Sequence, residues 1–340
     1  MSSDLISIVG YDKLGTDGRR FVWGKEGHTH YIESAAFVNR RKGMNEGICG
    51  YTTSVSFGCI LRTFKAQCLF CRTGNVIPFG GVLSYKEIAK QNVFMVLADM
   101  LCEDQASKPL KQREFAYMGQ GEPGFSYPQV RLAIELTNRI MKQLGQPVYR
   151  HVFATSGVLE SICAFKDDLK DFFTERVTLH FSLHAAENRD KIMPINKLYH
   201  YDEIISILND IYDISGEKPC VGIMLFEKFR PKNKEYEYSN SYDTVKKILS
   251  ELNPQKCRLS FCEYNESDDI GTSEVYPLNN AIKLIRLADE LGFESKIFSS
   301  FGKEKNTACG MLGAKEPENI SLEQWHDIEL MTNSLIENNL

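Results

Sequence analysis

Phe115-Ala-Tyr-Met-Gly-Gln-Gly-Glu-Pro-Gly-Phe-Ser-Tyr-Pro128 runs from a short apolar segment through a glycine turn to a proline suited to a helix's first turn. Phe115–Met118 reads as a buried strand, and the helix after it should end near Gly145. The same alternation recurs downstream. Strands are expected at Tyr149–Ala154, Val177–Leu183, Val221–Phe226, Leu259–Tyr264 and Glu294–Phe298, with helices centred near Phe165, Ile207, Lys247 and Leu284. About six βα units therefore follow one another. Parallel neighbours need crossover helices, so the expected class is α/β, with a parallel sheet and helices outside it. The number of units favours a partial (β/α)6 barrel over a doubly wound sheet, and either places active groups at the C-terminal ends of strands.

N-terminal to this run, Ser84-Tyr-Lys-Glu87 is a capping box that opens a helix running through Met100. Farther upstream, short β-like runs at Leu5–Val9, Arg20–Trp23 and Tyr31–Val38 predict a small N-terminal β extension. At the other end a helix over Ser321–Glu337 should pack on the outside. The expected division is an extension over 1–50, a barrel over 51–315 and a C-terminal helical segment over 316–340.

Composition is that of an ordinary soluble globular chain, 43% apolar and 25% charged over 340 residues. A net charge of -5 argues against broad electrostatic capture of nucleic acid but leaves room for a local basic groove. The opening residues show no basic region followed by a long apolar run, and no stretch is apolar enough to span a bilayer. A soluble, cytoplasmic protein with no membrane partner is the expectation.

Ten cysteines in such a chain do not suggest a disulfide scaffold. Cys102, Cys163, Cys220, Cys257 and Cys262 are expected to be small buried hydrophobes. Cys59-Ile-Leu-Arg-Thr-Phe-Lys-Ala-Gln-Cys68-Leu-Phe-Cys71 is different: Cys68 and Cys71 can share one metal centre, and Cys59 can join them if the residues between form a loop. Three thiolates suit iron–sulfur or zinc chemistry. Zinc would want a fourth protein ligand, for which Cys49 is the nearest choice, whereas an iron–sulfur cluster with three protein ligands keeps one iron open. Spacing alone leaves iron–sulfur, zinc and no metal all standing.

In Met118-Gly-Gln-Gly-Glu-Pro123 the glycines permit close backbone approach, and Glu122 can accept from an ammonium group or simply cap a turn. Ala154-Thr-Ser-Gly157, Ser182-Leu-His184 and Tyr264-Asn265 also end strands. Polar residues ending several strands of one sheet converge in space, so the set says more than any member.

Taken in order, Ser54–Cys59, Cys68–Gly74, Met118–Pro123, Thr155–Gly157, Ser182–Ala185, Arg189–Asn196, Glu263–Asn265 and Ala308–Leu312 resemble the radical S-adenosylmethionine family, in particular the bacterial branch that methylates adenine in ribosomal and transfer RNA. The resemblance runs from about residue 18 to residue 314. It implies a partial barrel around one [4Fe–4S] cluster, with Cys59, Cys68 and Cys71 on three irons and S-adenosylmethionine on the fourth. Glu122 would receive the methionine ammonium within the Gly119-Gln-Gly121-Glu-Pro123 turn. Ser156, Ser182, His184 and Asn265 would surround the rest of the cofactor, and Phe70 would cover its adenine. Two further cysteines mark the branch. Cys309 matches the one that is first methylated, then loses a hydrogen to the radical and adds to an electron-poor sp² carbon; Cys49 is the nearest match to the one that resolves the adduct. An external one-electron reductant such as flavodoxin or ferredoxin is implied. The cofactor supplies the difficult chemistry and the protein the placement.

This chain departs from the family pattern in three places. Eight residues separate Cys59 from Cys68 where the family has three, and Cys49 lies ten residues before Cys59 rather than seven. The family's N-terminal helical accessory domain, which helps hold RNA, has no match in the sequence. Substrate is therefore expected to be RNA or an adenine-containing small molecule. Arg40, Arg41, Lys42, Arg230, Lys232 and Lys234 are candidate phosphate contacts, though solvated loop charge is the first expectation for them. Two other readings stand beside this one: a radical enzyme abstracting hydrogen from a small molecule or peptide, and a non-enzymatic zinc-binding interaction module.

Overall fold

The computed structural model describes residues 5–14, 18–39, 48–101, 112–232, 234–235, 237–298, 312 and 323–340. Ten strands form one sheet: β1 (Ser7–Leu14), β2 (Gly18–Gly24), β3 (Ile32–Asn39), β4 (Ile48–Thr52), β5 (Arg113–Tyr117), β6 (Val148–Thr155), β7 (Val177–His184), β8 (Cys220–Leu225), β9 (Arg258–Glu263) and β10 (Glu294–Phe298). They lie side by side in chain order. The first three form an antiparallel meander that continues into β4. From β4 to β10 every neighbour is parallel. All six strands expected beyond the cysteines are present. The sequence reading missed β4, whose Ile-Cys-Gly-Tyr-Thr is short and interrupted by glycine.

Helices α1 (Tyr85–Leu101), α2 (Tyr127–Gln143), α3 (Leu159–Asp171), α4 (Tyr201–Ser215), α5 (Tyr242–Glu251) and α6 (Leu278–Glu290) follow the parallel strands, and α7 (Glu323–Asn338) closes the chain. The capping box forms as expected: Ser84 N donates to Glu87 Oε2 at 2.8 Å, and Glu87 N donates back to Ser84 Oγ at 3.4 Å. Pro128 stands in the first turn of α2, where a missing N–H loses nothing. The α7 helix lies against α1. Its buried Trp325 meets the rings of Tyr11, Phe21 and Phe94, and Glu329 pairs with the buried Lys90 at 2.7 Å.

Strand alternation divides the parallel strands into two faces. Tyr51, Phe115, Tyr117, Phe153, Phe181 and Phe261 face the helices and are 0% exposed, making the main core. The opposite face carries Thr52, Glu114, Arg150, His180 and Ser182, and Arg150 pairs with Glu114 there at 2.6 Å. Burial pushes His151 and His180 down to about 3. Unfolded, each would take up a proton near 6.5, so the denatured state binds more protons as pH falls from about 6.5 toward 3. Both histidines therefore favour folding above that window. Stability should decline by about 3 kcal/mol per pH unit below roughly pH 6 from this pair, and His151→Asn should flatten the slope in denaturant titrations across pH.

Candidate active site

The segment after β4, Thr53-Ser-Val-Ser-Phe-Gly58, carries the chain to Cys59 and is laced to the turn after β5. Thr53 N donates to Ala116 O at 2.9 Å, Gly119 N to Thr53 O at 3.0 Å, and Val55 N to Gln120 O at 2.9 Å. A Cβ on Gly119 would stand 2.7 Å from Ser54 N, so this position excludes any side chain. The close approach expected of this glycine is made to the chain's own backbone.

Glu122 sits at the end of that turn, 5% exposed. Its Oε1 accepts from Gly124 N at 2.9 Å and Thr155 Oγ1 at 2.6 Å; its Oε2 accepts from Ser156 N at 2.9 Å and Ser156 Oγ at 2.6 Å. All four donors are neutral, and together they bind the ends of β5 and β6. Pro123 is part of the same turn, its carbonyl accepting from Ser126 N at 3.0 Å. An ammonium group could enter this shell by displacing either hydroxyl.

Arg189, 1% exposed, makes the next link. It donates to Ser156 O at 2.7 Å, Ser182 O at 3.3 Å, Leu183 O at 3.0 Å and Asn196 Oδ1 at 2.8 Å. One guanidinium thus clamps the ends of β6 and β7, and burial lowers it to about 10. Its role was not singled out from sequence, although it begins the Arg189–Asn196 motif. The same short segment meets the cysteine loop, where Leu69 N donates to Ile192 O at 2.8 Å.

Cys59, Cys68 and Cys71 come together in an apolar shell with Leu61, Phe70, Ile192, Met193 and Phe229. Asn75 fastens the loop, its Nδ2 donating to Cys68 O at 2.8 Å and Cys71 O at 2.7 Å. Burial pushes all three thiols up, Cys59 and Cys68 strongly, with Cys71's negative form adding to both. Phe70 stands edge-on to His184 at 5.4 Å. Burial holds His184 at about 3, hence neutral, and its Nδ1 is buried without a hydrogen-bond partner among the described residues. The buried Tyr264 hydroxyl is in the same condition, next to the buried Asn265. Two orphaned polar atoms beside three thiols fit a polar ligand resting on a metal–thiolate centre. Among the described residues no three His, Cys, Asp or Glu side chains gather tightly enough to grip a single metal ion. Three thiols are the donor set of an iron–sulfur cluster with one open iron, whereas zinc would want a fourth protein ligand.

The structure does not bring Cys49 to this site. It opposes Arg113 near the start of β4, and by alternation shares the helix-facing side with Tyr51, whose hydroxyl reaches Asp99 of α1 at 2.7 Å. Its thiol belongs to the main core, 7% exposed. Thr52, seven residues before Cys59, is the one that faces the other side at the strand's C-terminal end. Cys49, expected as the resolving group, thus stands on the core face of β4, opposite to the face that carries Thr52. Cys309 and Cys102 lie outside the described residues. Leu312, three residues after Cys309, is described: it is buried, and its carbonyl accepts from Thr73 Oγ1 at 2.5 Å, two residues beyond Cys71. Of the remaining cysteines, Cys220 and Cys257 are buried as expected, and Cys163 and Cys262 are half-buried. Arg40, Arg41 and Lys42 lie outside the described residues. Arg230 is exposed and paired with Glu237 at 3.0 Å. No described helix is long and apolar enough to cross a membrane.

No family model matches the chain. Curated relatives do. The "probable dual-specificity RNA methyltransferase RlmN" of Flavobacterium psychrophilum is 28% identical over 270 residues, covering 77% of this chain and 69% of the relative. The "ribosomal RNA large subunit methyltransferase Cfr" of Shouchella clausii is 26% identical over 251 residues, covering 72% and 64% respectively. Among solved structures, a radical SAM methyltransferase from Sphaerobacter thermophilus superposes with a TM-score of 0.70 at 17% identity, over 90% of this chain and 80% of that one. Sequence comparison makes the chain a homologue of the RlmN and Cfr methyltransferases, and its fold is similar to that of a radical SAM methyltransferase.

Proposed function

We propose that this chain is a radical S-adenosylmethionine enzyme that methylates an sp² carbon of adenine in RNA, with Cys309 as methyl carrier. Cys59, Cys68 and Cys71 would hold a [4Fe–4S] cluster. Glu122, Ser156, Ser182, His184 and Asn265 would line S-adenosylmethionine, with Phe70 against its adenine. When bound, these groups supply one-electron cleavage of the cofactor and hydrogen abstraction, fed by an external one-electron reductant. The chain's own residues bind, orient and exclude water. Neutral His184 offers Nδ1 as a hydrogen-bonding atom without adding charge. Arg189 fixes the two strand ends that carry Ser156 and Ser182. Cys309 must give up its proton before it can accept a methyl group. We assign no resolving role to Cys49.

The observation that carries this reading is the Thr73–Leu312 hydrogen bond, because it joins Leu312, the last residue of the motif that begins at Ala308, to Thr73, two residues beyond Cys71. The relatives' names attach their activity to RNA, which favours RNA over a small molecule as acceptor. The test is anaerobic turnover with deuterated-methyl S-adenosylmethionine and cellular RNA, followed by nucleoside mass spectrometry. Label on a methyladenine supports the reading. Label that reaches only metabolites or peptides sinks the RNA acceptor.

Glu122 gives a narrower expectation. In Glu122→Gln one acceptor oxygen becomes an NH2 facing two donors, and the charge is lost. S-adenosylmethionine should bind roughly tenfold more weakly, about 1.4 kcal/mol, while the cluster is retained. Unchanged affinity in anaerobic calorimetry would leave Glu122 as a fastener of the two turns alone.

A further inference from the structure

The enlarged Cys59–Cys68 loop is ordered, and it keeps an aromatic ring in water. A short 3-10 turn spans Ile60–Arg62, and backbone bonds Thr63 N to Ile60 O, Lys65 N to Arg62 O and Ala66 N to Leu61 O stiffen the residues after it. Arg62 ties the loop down through Asn75 O at 2.8 Å, and Lys65 takes a left-handed φ of 54°. Leu61 and Ala66 are buried at 2% and 3%, whereas Phe64 between them remains 53% exposed. Its ring lies 5.4 Å from that of Phe125, inclined at 38°. Phe125 belongs to the Glu122 turn and packs on the same apolar shell that holds Cys59 and Phe70. The two rings therefore bridge the cysteine loop and the proposed cofactor turn, with the exposed Lys65 beside Phe64.

We propose that Phe64 and Phe125 form a stacking platform for an unpaired nucleobase of the RNA substrate, with Lys65 at an adjoining phosphate. The inference rests on the RNA reading above. Aromatic faces stack any base without regard to sequence, and a flanking cation neutralises the backbone that carries it. A platform held rigid before binding loses little freedom when occupied. It lies on the lip of the cysteine site, so a base held there is a neighbour of the one presented for reaction. The longer loop thus supplies a contact to RNA next to the chemistry itself.

The experiment titrates a fluorescein-labelled RNA hairpin, carrying an unpaired adenine in its loop, with reconstituted holoenzyme. Phe64→Ala and Phe64→Leu should weaken binding by about tenfold to a hundredfold, the range of a lost base stack, whereas Phe64→Trp should restore it. Lys65→Ala should flatten the slope of log affinity against log salt by about 0.7. Iron content and denaturation midpoints monitor the fold, which an exposed ring should not perturb. Wild-type affinity in Phe64→Ala, or full function of Phe64→Leu, would overturn the platform alone. Absence of any binding by the wild-type holoenzyme would overturn it together with the RNA reading.

Discussion

Cys68→Ala protein is expected to leave anaerobic reconstitution with iron and sulfide near background and no measurable cleavage of S-adenosylmethionine. The same holds for Cys59→Ala and Cys71→Ala. The argument is one of donor supply: the three thiols sit in a shell with Leu61, Phe70, Ile192 and Phe229, side chains that carry no ligating atom. Burial raises each thiol, so the empty site is neutral and loses nothing by staying so; metal must draw off the protons itself, and removing one donor weakens that pull. Asn75 would still fasten the loop through Cys68 O and Cys71 O, because it holds main-chain atoms, and the variants should therefore fold. Cys163→Ala, on α3, supplies the control: its iron should match the wild type. Full iron and normal cleavage in Cys68→Ala would remove Cys68 from the ligand set. Zinc with no iron in the wild type would return the interaction-module reading.

The fold was legible because its signals are local and repeat. Strand–turn–helix alternation, the Ser84–Glu87 box and Pro128 each state their structure within a few residues. The strand β4 was harder: five residues with a central glycine carry no clear period, and only pairing with β3 and β5 makes them a strand. The same gap bears on Cys49. Without β4 there is no face to assign, and a cysteine ten residues from Cys59 looks available; within β4 it shares the core face with Tyr51. Arg189 was hidden for another reason. Its four acceptors come from Ser156, Ser182, Leu183 and Asn196, three of them main-chain carbonyls that leave no trace in residue type. Glu122 showed the converse. Its position was evident, but its four neutral donors emerge only once β5 and β6 lie side by side.

Cys309→Ala is expected to keep its iron and to lose methylation of RNA altogether, while S-adenosylmethionine cleavage persists without product. By residue type alone a cysteine beside Met311 and Leu312 is a small hydrophobe. What favours a carrier is the matching motif and the anchoring of buried Leu312 to Thr73 in the cysteine loop. Wild-type protein made with an intact cluster should carry one added methyl group on Cys309, read by peptide mass spectrometry and deuterated when the cofactor is. Cys49→Ala provides the contrast. Its thiol contributes packing beneath α1, so the expected result is a modest loss of stability, about 1 kcal/mol, with turnover retained. If Cys49→Ala instead stalls with RNA covalently held on Cys309, then β4 must shift during the reaction to bring the thiol round. If Cys309 is never methylated and Cys309→Ala still methylates RNA, the carrier is another group, and the site serves a different methyl transfer.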